Sequence, residues 1–232
     1  SCLCDMIVTI NEEDLRRARA FHTARVEKIN GIGLDTKRFS SCTVNKAEKR
    51  KELGIPENAF FVVSVGELKV HKNHEAIIRA LAKKQDPHVF YGICGKGELL
   101  EYLQNMAKKQ GVAKQVFFFG YRTDVAEILH TADLFAFPSR RDGLGLAALE
   151  AMASGLPLLT SNVGGIPDYV KNGITGFSYR YDDIDGFAEG LQKYCRDAEL
   201  RKRVINNGLE AVRKYDIREV EQTVCRLMEL ED

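Results

Sequence analysis

Residues 132–167, ADLFAFPSRRDGLGLAALEAMASGLPLLTSNVGGIP, hold two apolar runs separated by a loop and a helix-forming segment. The first run, residues 133–137, is long enough for one buried strand, and a proline ends it. Residues 139–145 are a polar loop with two glycines, and residues 146–154 are mostly strong helix formers. A glycine and a proline end that helix, and residues 158–160 predict the next strand. This order predicts the parallel crossover of an open α/β sheet.

The loop of this unit carries groups that suit a phosphorylated ligand. Ligands of open α/β sheets lie at the carboxyl ends of the strands, where this loop lies. The backbone N–H groups of Gly145, Leu146 and Ala147 are expected to point out of the helix start toward phosphate oxygens. Asp142 and Glu150 are placed so that both carboxylates border one pocket. Carboxylates repel phosphate but accept hydrogen bonds from hydroxyls, so the loop predicts a nucleotide-sugar site.

Composition excludes several other classes of protein. The length of 232 residues and the apolar content of 44% fit one large globular domain, or one and a half smaller ones. A net charge of +1 gives no basic surface for nucleic acid. No apolar run approaches the length of a membrane helix, and the N-terminus does not have the pattern of a signal peptide. Six scattered cysteines favour reduced thiols in a cytosolic protein over disulfides or a zinc site.

The central stretch resembles the glutamate-x7-glutamate signature of retaining family 4 glycosyltransferases, which have two Rossmann-like domains in the GT-B fold. The first acid is Asp142 here and the second is Glu150. Two acids at this spacing carry little weight alone, because charged residues make up 29% of the chain. The flanking sequences ADLFAFPS, EAMASGLPLLTSNVGGIPDYV and NGITGF make the match specific. The resemblance covers nearly the whole chain, but only the later part of such an enzyme.

The resemblance implies a division into three parts. Residues 1–38 would be the end of an N-terminal acceptor domain and its linker, residues 39–214 the nucleotide-sugar-binding domain, and residues 215–232 a C-terminal crossover helix. Most of the N-terminal domain, which normally carries much of the acceptor site, would then be absent. The expected fold class is α/β, with a Rossmann-like parallel sheet, helices on both of its faces and a remnant of the N-terminal domain.

A cation for the diphosphate is expected where GELKVHKNHEAIIRAL, residues 66–81, follows an apolar strand. Lys72 lies just before the predicted helix, where its ammonium can reach a diphosphate; the alternative is an ordinary surface lysine. Family enzymes commonly have an arginine after the glycine corresponding to Gly66, but Glu67 stands there in this chain. We expect Glu67 to turn off the phosphates and to accept a hydrogen bond from sugar, acceptor or a neighbouring lysine. His74 receives no role.

Two further loops are implied on the nucleotide side. Gly95 and Gly97 fit a tight turn equally well, because a GxG triplet alone is weak. Residues 120–122 correspond to backbone groups that hold the base edge in similar enzymes. Arg122 would stack on or bond the base, or form a helix-entry salt bridge with Asp124, and both interpretations stay open. The candidate donor- and nucleotide-binding residues are Gly66, Glu67, Lys72, Gly95, Gly97, Gly120, Tyr121, Arg122, Asp142, Gly143, Gly145, Leu146 and Glu150.

The implied activity is transfer of a sugar, with retention, from a nucleotide diphosphate to a glycan or lipid-linked acceptor. UDP is the expected nucleotide, and capsular or exopolysaccharide synthesis is the expected setting. Lys72 and Asp142 are the catalytic candidates: Lys72 holds the diphosphate as charge grows on the leaving group, and Asp142 orients the donor sugar. Glu150 would take the ribose hydroxyls. No metal or other cofactor is expected, because the obvious carboxylates are committed to hydroxyls.

The implied location is cytoplasmic, and the full-length enzyme would be able to lie at the inner face of the membrane. The isolated chain is expected to be poorly active. Two alternatives remain at this point. One is another GT-B enzyme, such as a sugar-nucleotide epimerase or a glycan phosphorylase, and the other is a non-catalytic nucleotide-binding module.

Overall fold

The structure is a computed structural model that describes residues 5–21 and 25–229. Its elements alternate between strands and helices along most of the chain, as the central stretch predicts. In chain order they are β1 (Met6–Thr9), α1 (Glu12–Ala18), β2 (Arg25–Lys28), α2 (Thr36–Ser40), α3 (Lys46–Glu52), β3 (Phe60–Val65), α4 (His74–Lys84), β4 (Val89–Cys94), α5 (Leu100–Lys109), β5 (Val116–Gly120), α6 (Val125–Thr131), β6 (Leu134–Phe137), α7 (Leu146–Ala153), β7 (Leu158–Ser161), α8 (Ile166–Tyr169), β8 (Phe177–Tyr179), α9 (Ile184–Arg196), α10 (Ala198–Val212) and α11 (Ile217–Glu229). Short 3₁₀ turns cover Val70–Lys72 and Arg213–Tyr215.

Six strands form one sheet in the order β5-β4-β3-β6-β7-β8, and every neighbouring pair is parallel. The chain enters this sheet in the middle at β3, runs outward to β5, and then returns to the middle at β6. Strand order therefore reverses between β3 and β6, which pair through Val62 and Leu134. Such a reversal leaves a crevice at the carboxyl ends of the two strands, where ligands of open α/β sheets bind.

Helices cover both faces of the sheet because its central strands are apolar on both sides. Successive residues of a strand point to opposite faces. Val63 and Phe135 accordingly belong to one core cluster, with residues of α6 and α7. Val62 and Leu134 belong to the other, with residues of α4 and α9. The near-continuous apolar runs of β3 and β6 are typical of parallel strands buried on both faces, and the expected layer arrangement is confirmed.

The N-terminal segment forms a small parallel sheet of β1 and β2 joined by α1. The predicted boundary between residues 38 and 39 falls inside α2 (Thr36–Ser40). Phe39 of this helix is buried in a core cluster of the six-stranded sheet. The boundary at 214 and 215 falls inside a 3₁₀ turn, whose Tyr215 carbonyl accepts a hydrogen bond from the Leu34 N–H (2.8 Å). Each proposed boundary therefore divides a continuous element, and the three-part division itself stays a prediction.

Some sequence predictions extend beyond the described residues. The C-terminal crossover helix was predicted over residues 215–232, of which 230–232 lie outside them, as do Cys2 and Cys4. The four described cysteines are free thiols: Cys42, Cys94, Cys195 and Cys225. Within the described ranges, no helix has both the length and the apolar character that a membrane span requires.

Candidate functional site

A pocket of about 570 Å³ opens at the carboxyl ends of β3 and β6, at the point where strand order reverses. Predicted site residues meet here from the β3–α4 loop and from the β6–α7 loop with the helix that follows it. The lining residues are Ile10, Ile32, Val65, Gly66, Glu67, Lys72, Phe137, Asp142, Leu144, Gly145, Leu146, Ala147 and Glu150. The lining of the pocket therefore combines apolar side chains with one ammonium and three carboxylates.

Lys72 and Asp142 form an ion pair across the pocket. Lys72 Nζ lies 2.7 Å from Asp142 Oδ2, and both side chains are largely buried. The ammonium also lies 5.3 Å from the centre of the Phe137 ring, within the range of a cation–π contact. From sequence the two side chains were assigned to different parts of the ligand. The structure shows them as direct neighbours, so a group that binds one of them also affects the other.

Asp142 also fixes the start of α7. Its Oδ1 accepts a hydrogen bond from the Gly145 N–H (2.7 Å). The prediction that this N–H points toward phosphate is therefore wrong, because the Asp142 side chain of the same loop already accepts its hydrogen bond. The N–H groups of Leu146 and Ala147 have no carbonyl four residues earlier within the helix, and they remain the donors available to an anion.

The loop from β6 to α7 is held by two polar side chains and by the close fit of a glycine. A Cβ at Gly145 would lie 2.8 Å from Tyr169 Oη, so only glycine fits there. The Tyr169 hydroxyl donates to the Leu144 carbonyl (2.8 Å). The Asn11 side chain, which is 1% exposed, donates from Nδ2 to the Gly143 carbonyl (2.9 Å). Sequence reasoning missed both polar side chains; Asn11 was detectable as a helix N-cap residue, but nothing local indicated its contact with residue 143.

Glu150 lies one turn into α7 and faces the same pocket. Burial raises the pKa of its carboxyl, and the charge of Arg38 opposes that shift. Its carboxylate accepts no hydrogen bond from the part of the chain that the structure describes. A half-buried carboxyl with free oxygens is well suited to accept hydrogen bonds from a pair of ligand hydroxyls.

Glu67 pairs with the neighbouring Lys69, whose Nζ lies 3.1 Å from Glu67 Oε1. The expectation that a neighbouring lysine donates to Glu67 is confirmed. Both side chains are about half exposed. Glu67 stands where family enzymes commonly have an arginine. Because Lys69 partly neutralises it, Glu67 adds less negative charge beside the pocket than an unpaired carboxylate would.

His74 is a site-supporting residue that sequence reasoning missed. It is 4% exposed, its Nε2 donates to the Glu67 carbonyl (3.2 Å), and its Nδ1 lies 3.1 Å from Tyr91 Oη. Burial lowers its pKa to about 4. The spacing of His74 with Ile77 and Ile78 puts all three on one helix face, which was the available signal of burial. His74 follows Lys72 in sequence, and its ring contacts both the Glu67 carbonyl before Lys72 and Tyr91 of the sheet. It therefore fixes the chain on both sides of Lys72.

Gly95 and Gly97 allow two loops to pack closely. A Cβ at Gly95 would lie 1.9 Å from the Gly66 carbonyl oxygen, and one at Gly97 would lie 2.5 Å from the Leu68 carbonyl oxygen. Both glycines lie beside the β3–α4 loop rather than in the lining of the 570 Å³ pocket. The geometry thus gives these glycines a structural role in the packing of two loops, and a nucleotide contact stays a prediction.

Arg122 forms the helix-entry salt bridge that was one of its two open interpretations. Its Nε donates to Asp124 Oδ1 (2.8 Å) and its Nη2 to Glu52 Oε1 (2.6 Å). It does not line the pocket that contains Lys72. Neighbouring Tyr121 is 72% exposed at the end of β5. A base contact by residues 120–122 therefore rests on resemblance alone.

Asp183 and Asp185 form an Asp-x-Asp triplet that the sequence interpretation overlooked. Asp183 caps α9 by accepting a hydrogen bond from the Gly186 N–H (2.8 Å). Asp185 pairs with Lys83. Neither residue lines the pocket, so this pair of acids serves the helix rather than the site.

Comparison with known proteins identifies the family to which this chain is similar. Residues 45–211 match the family model described as Glycosyl transferases group 1. EpsD of Bacillus subtilis (strain 168), assigned to the glycosyltransferases, is 31% identical over 228 residues, which are 96% of this chain and 60% of EpsD. The UDP-Gal:alpha-D-GlcNAc-diphosphoundecaprenol alpha-1,3-galactosyltransferase of Escherichia coli is 33% identical over 196 residues, 79% of this chain and 50% of that enzyme.

Solved structures agree on the fold. Anabaena HepE in complex with UDP superposes with a TM-score of 0.90 at 20% identity, over 97% of this chain and 64% of HepE. WaaG, a glycosyltransferase involved in lipopolysaccharide biosynthesis, superposes with a TM-score of 0.79 at 24% identity, over 95% of this chain and 61% of WaaG. The chain thus spans between one half and two thirds of these relatives. The family match, together with the reversed sheet order and the α/β layers, shows that this chain belongs to the group 1 glycosyl transferases.

Proposed function

We propose that this chain is the donor-binding part of an enzyme that transfers a sugar from a UDP-sugar, with retention, to a glycan or lipid-linked acceptor. The observation that carries the proposal is the convergence of Lys72, Asp142 and Glu150 in one pocket at the reversal of strand order. One ammonium, free helix N–H groups and two carboxylates match a diphosphate flanked by hydroxyl-bearing rings.

UDP is the nucleotide supported by the relatives. The E. coli enzyme is named for UDP-Gal, and HepE was solved with UDP and with UDP-glucose. WaaG connects the fold with surface polysaccharide through its stated role in lipopolysaccharide biosynthesis. We accordingly propose a role in extracellular or capsular polysaccharide synthesis. A cytoplasmic location would keep the four described thiols reduced.

Each pocket group has a distinct part in the proposed reaction. Lys72 and the N–H groups of Leu146 and Ala147 hold the diphosphate, and Glu150 accepts hydrogen bonds from the ribose hydroxyls. Asp142 accepts a hydrogen bond from a hydroxyl of the donor sugar. The bond between the sugar C1 and the phosphate oxygen breaks, negative charge develops on that oxygen, and Lys72 stabilises it.

Retention is proposed to arise without a covalent enzyme intermediate. Both oxygens of Asp142 already accept hydrogen bonds, one from Lys72 and one from the Gly145 N–H, which reduces their nucleophilicity. The acceptor hydroxyl would attack C1 from the face that the phosphate leaves. Its oxygen forms the new bond to C1 and its proton passes to the departing phosphate oxygen, so atoms and charge balance.

A thermal-shift panel with UDP, GDP, ADP and CMP tests the proposal. A ligand that binds only the folded chain stabilises it by about 2.7 kcal/mol at a hundred times its Kd. For a chain of this length that corresponds to roughly 5–10 °C. We expect the largest shift with UDP. No shift with any nucleotide, or a larger shift with another one, would contradict the proposed donor.

A further inference from the structure

A second pocket of about 650 Å³ lies on the other side of Asp142. It opens between α1 and the loops that follow β6 and β7, and Asp142 lines both it and the donor pocket. Asp14, Arg141 and Asn162 are among its lining residues. A sugar held by Asp142 would therefore lie at the boundary between the two pockets, with the second pocket open to the molecule that receives it.

Most charges around the second pocket are already neutralised. Arg17 pairs with Glu13, and Asp142 pairs with Lys72. Arg140 Nη2 lies 2.7 Å from an oxygen of Glu75, and that guanidinium also contacts the Tyr181 ring. These side chains have partners that fix their positions and satisfy their charges.

Arg141 differs from these neighbours. It is exposed, it lines the pocket, and it forms no hydrogen bond or ion pair with any residue that the structure describes. Its backbone position is nevertheless fixed, because it lies in the loop held by Asn11 and Tyr169. A guanidinium offers a fork of donors that matches the oxygens of a phosphate or carboxylate.

The same pocket also contains side chains that can exchange hydrogen bonds with the hydroxyls of a ligand. Asp14 accepts a hydrogen bond from the Asn11 amide (2.8 Å) and is paired with no cation within the described ranges. The side-chain amide of Asn162 has no partner among residues 5–21 and 25–229. The pocket therefore combines one free cationic group with a carboxylate and an amide, which suits a hydroxyl-rich molecule that carries an anionic group.

We propose that this second pocket receives the acceptor, and that Arg141 selects an acceptor carrying a phosphate or carboxylate group. The inference rests on the proposed function, because it assigns the acceptor side of the same transfer. Arg141 is a specificity residue here: it binds the anionic group, and Asp14 and Asn162 bind hydroxyls beside it.

The test is an NMR titration of this chain saturated with UDP, which occupies the donor phosphate site. The probes are inorganic phosphate, methyl glucuronide and the neutral methyl glucoside, followed through the backbone N–H signals of Gly143 and Gly164. We expect one or both anions to bind. Arg141→Gln should weaken that binding about tenfold or more, as expected for loss of a charge-assisted hydrogen bond, without changing UDP affinity. Arg141→Lys should retain part of it.

Arg203→Gln is the matched control, because Arg203 is an exposed arginine on α10 that does not line the pocket. Stronger binding of phosphate would identify a phosphorylated acceptor, and stronger binding of the glucuronide a uronic acid. Equal binding of the neutral glucoside, no binding of either anion, or equal anion binding by Arg141→Gln would overturn the inference. Failure of the unaltered chain to bind UDP would instead overturn the proposed function, and this inference with it.

Discussion

The ion pair of Lys72 and Asp142 joins two loops that lie 70 residues apart in sequence. A diphosphate bound at Lys72 competes with Asp142 for the same ammonium, and it also brings negative charge toward that carboxylate. Asp142 therefore opposes binding of a nucleotide by itself and favours a ligand whose sugar hydroxyl donates to it. The pair makes the site discriminate between the whole donor and the free nucleotide.

Asp142→Asn tests this competition. Removing the negative charge frees Lys72, so affinity for UDP should stay the same or rise by up to about fivefold, the worth of one partly screened charge interaction. The preference for UDP-glucose over UDP should fall, because an amide accepts a weaker hydrogen bond from the sugar. Calorimetry with both ligands measures the two effects, and a similar loss for both would contradict the assignment of Asp142 to the sugar.

Glu150→Gln should give the opposite pattern. The ribose is common to UDP and UDP-glucose, so both affinities should fall by a similar factor of about ten to a hundred, the range for a hydrogen bond to a charged group. Calorimetry under the conditions used for Asp142→Asn allows a direct comparison. If both ligands bind Glu150→Gln as tightly as the unaltered chain, Glu150 is not a ribose ligand.

Local sequence patterns identified the pocket residues, but they did not predict the hydrogen bonds and ion pairs that those residues form. Lys72, Asp142 and Glu150 were found because each lies next to a strand end or a helix start, which sequence marks clearly. The destination of the Gly145 N–H was mispredicted because Asp142 was assigned to the ligand alone, although an Asp side chain can also accept a hydrogen bond from backbone of its own loop. The ion pair of Lys72 with Asp142 was missed because it joins loops from two different strands.

At the scale of elements, the strands and helices around the site were predictable from apolar periodicity. The helix predicted at residues 146–154 is α7 (Leu146–Ala153), and the strand predicted at residues 158–160 is β7 (Leu158–Ser161). Helix α4 was predicted to follow Lys72, but the chain of polar side chains between it and the sheet was not. His74, Tyr91 and Ser64 come from three elements and meet only when α4 packs on the sheet.

The burial of His74 predicts a pH dependence of stability. Its pKa is about 4 in the folded chain and about 6.5 when unfolded, so between these values the unfolded chain binds the additional proton. The free energy of unfolding should therefore fall as pH falls from 6.5 to 4, by roughly 3 kcal/mol from this residue. His74→Gln, which keeps a donor for the Glu67 carbonyl but does not titrate, should lower that loss.

Urea unfolding at pH 7, 6, 5 and 4 measures this effect. His88→Gln is the control variant, because His88 is an exposed histidine beside β4. The role assigned to His74 is contradicted if the profiles of His74→Gln and the unaltered chain are parallel.

At the scale of the whole molecule, the N-terminal segment supports the donor loop. Asn11 reaches Gly143 across 132 residues of sequence, and the Glu12 N–H donates to Asp168 Oδ2 (2.9 Å). Helix α2 packs on α7 through the buried Phe39. Sequence reasoning assigned residues 1–38 to the end of another domain and its linker and identified neither contact, because long-range pairing leaves no periodic signal.

Asn11→Ser isolates this support. Serine preserves the N-cap of α1, where Asn11 accepts from the Asp14 N–H (2.7 Å), but it is too short to reach the Gly143 carbonyl. We expect the free energy of unfolding to fall by about 0.5–1.5 kcal/mol, because the part-buried bond from Asn11 is lost and only the Gly165 N–H (2.9 Å) still donates to the Gly143 carbonyl. UDP-glucose affinity should fall with it.

Asn207→Ser is the matched control, since Asn207 makes the same type of bond to the Ile174 carbonyl (2.9 Å) at an exposed position. Its effect should stay within about 0.5 kcal/mol, as for other surface substitutions. Equal losses for the two variants, measured by urea unfolding, would show that the Asn11 bond gives the donor loop no special support.

The central claim is that the pocket at the reversal of strand order binds a nucleotide diphosphate through Lys72. Calorimetry of UDP and uridine with the unaltered chain and with Lys72→Met tests it most directly, because methionine keeps the apolar stem and removes only the ammonium. We predict a loss of UDP affinity of about ten- to a hundredfold, the worth of a charge-assisted bond, and little change for uridine, which has no phosphates. Equal affinities of Lys72→Met and the unaltered chain for UDP would contradict the claim.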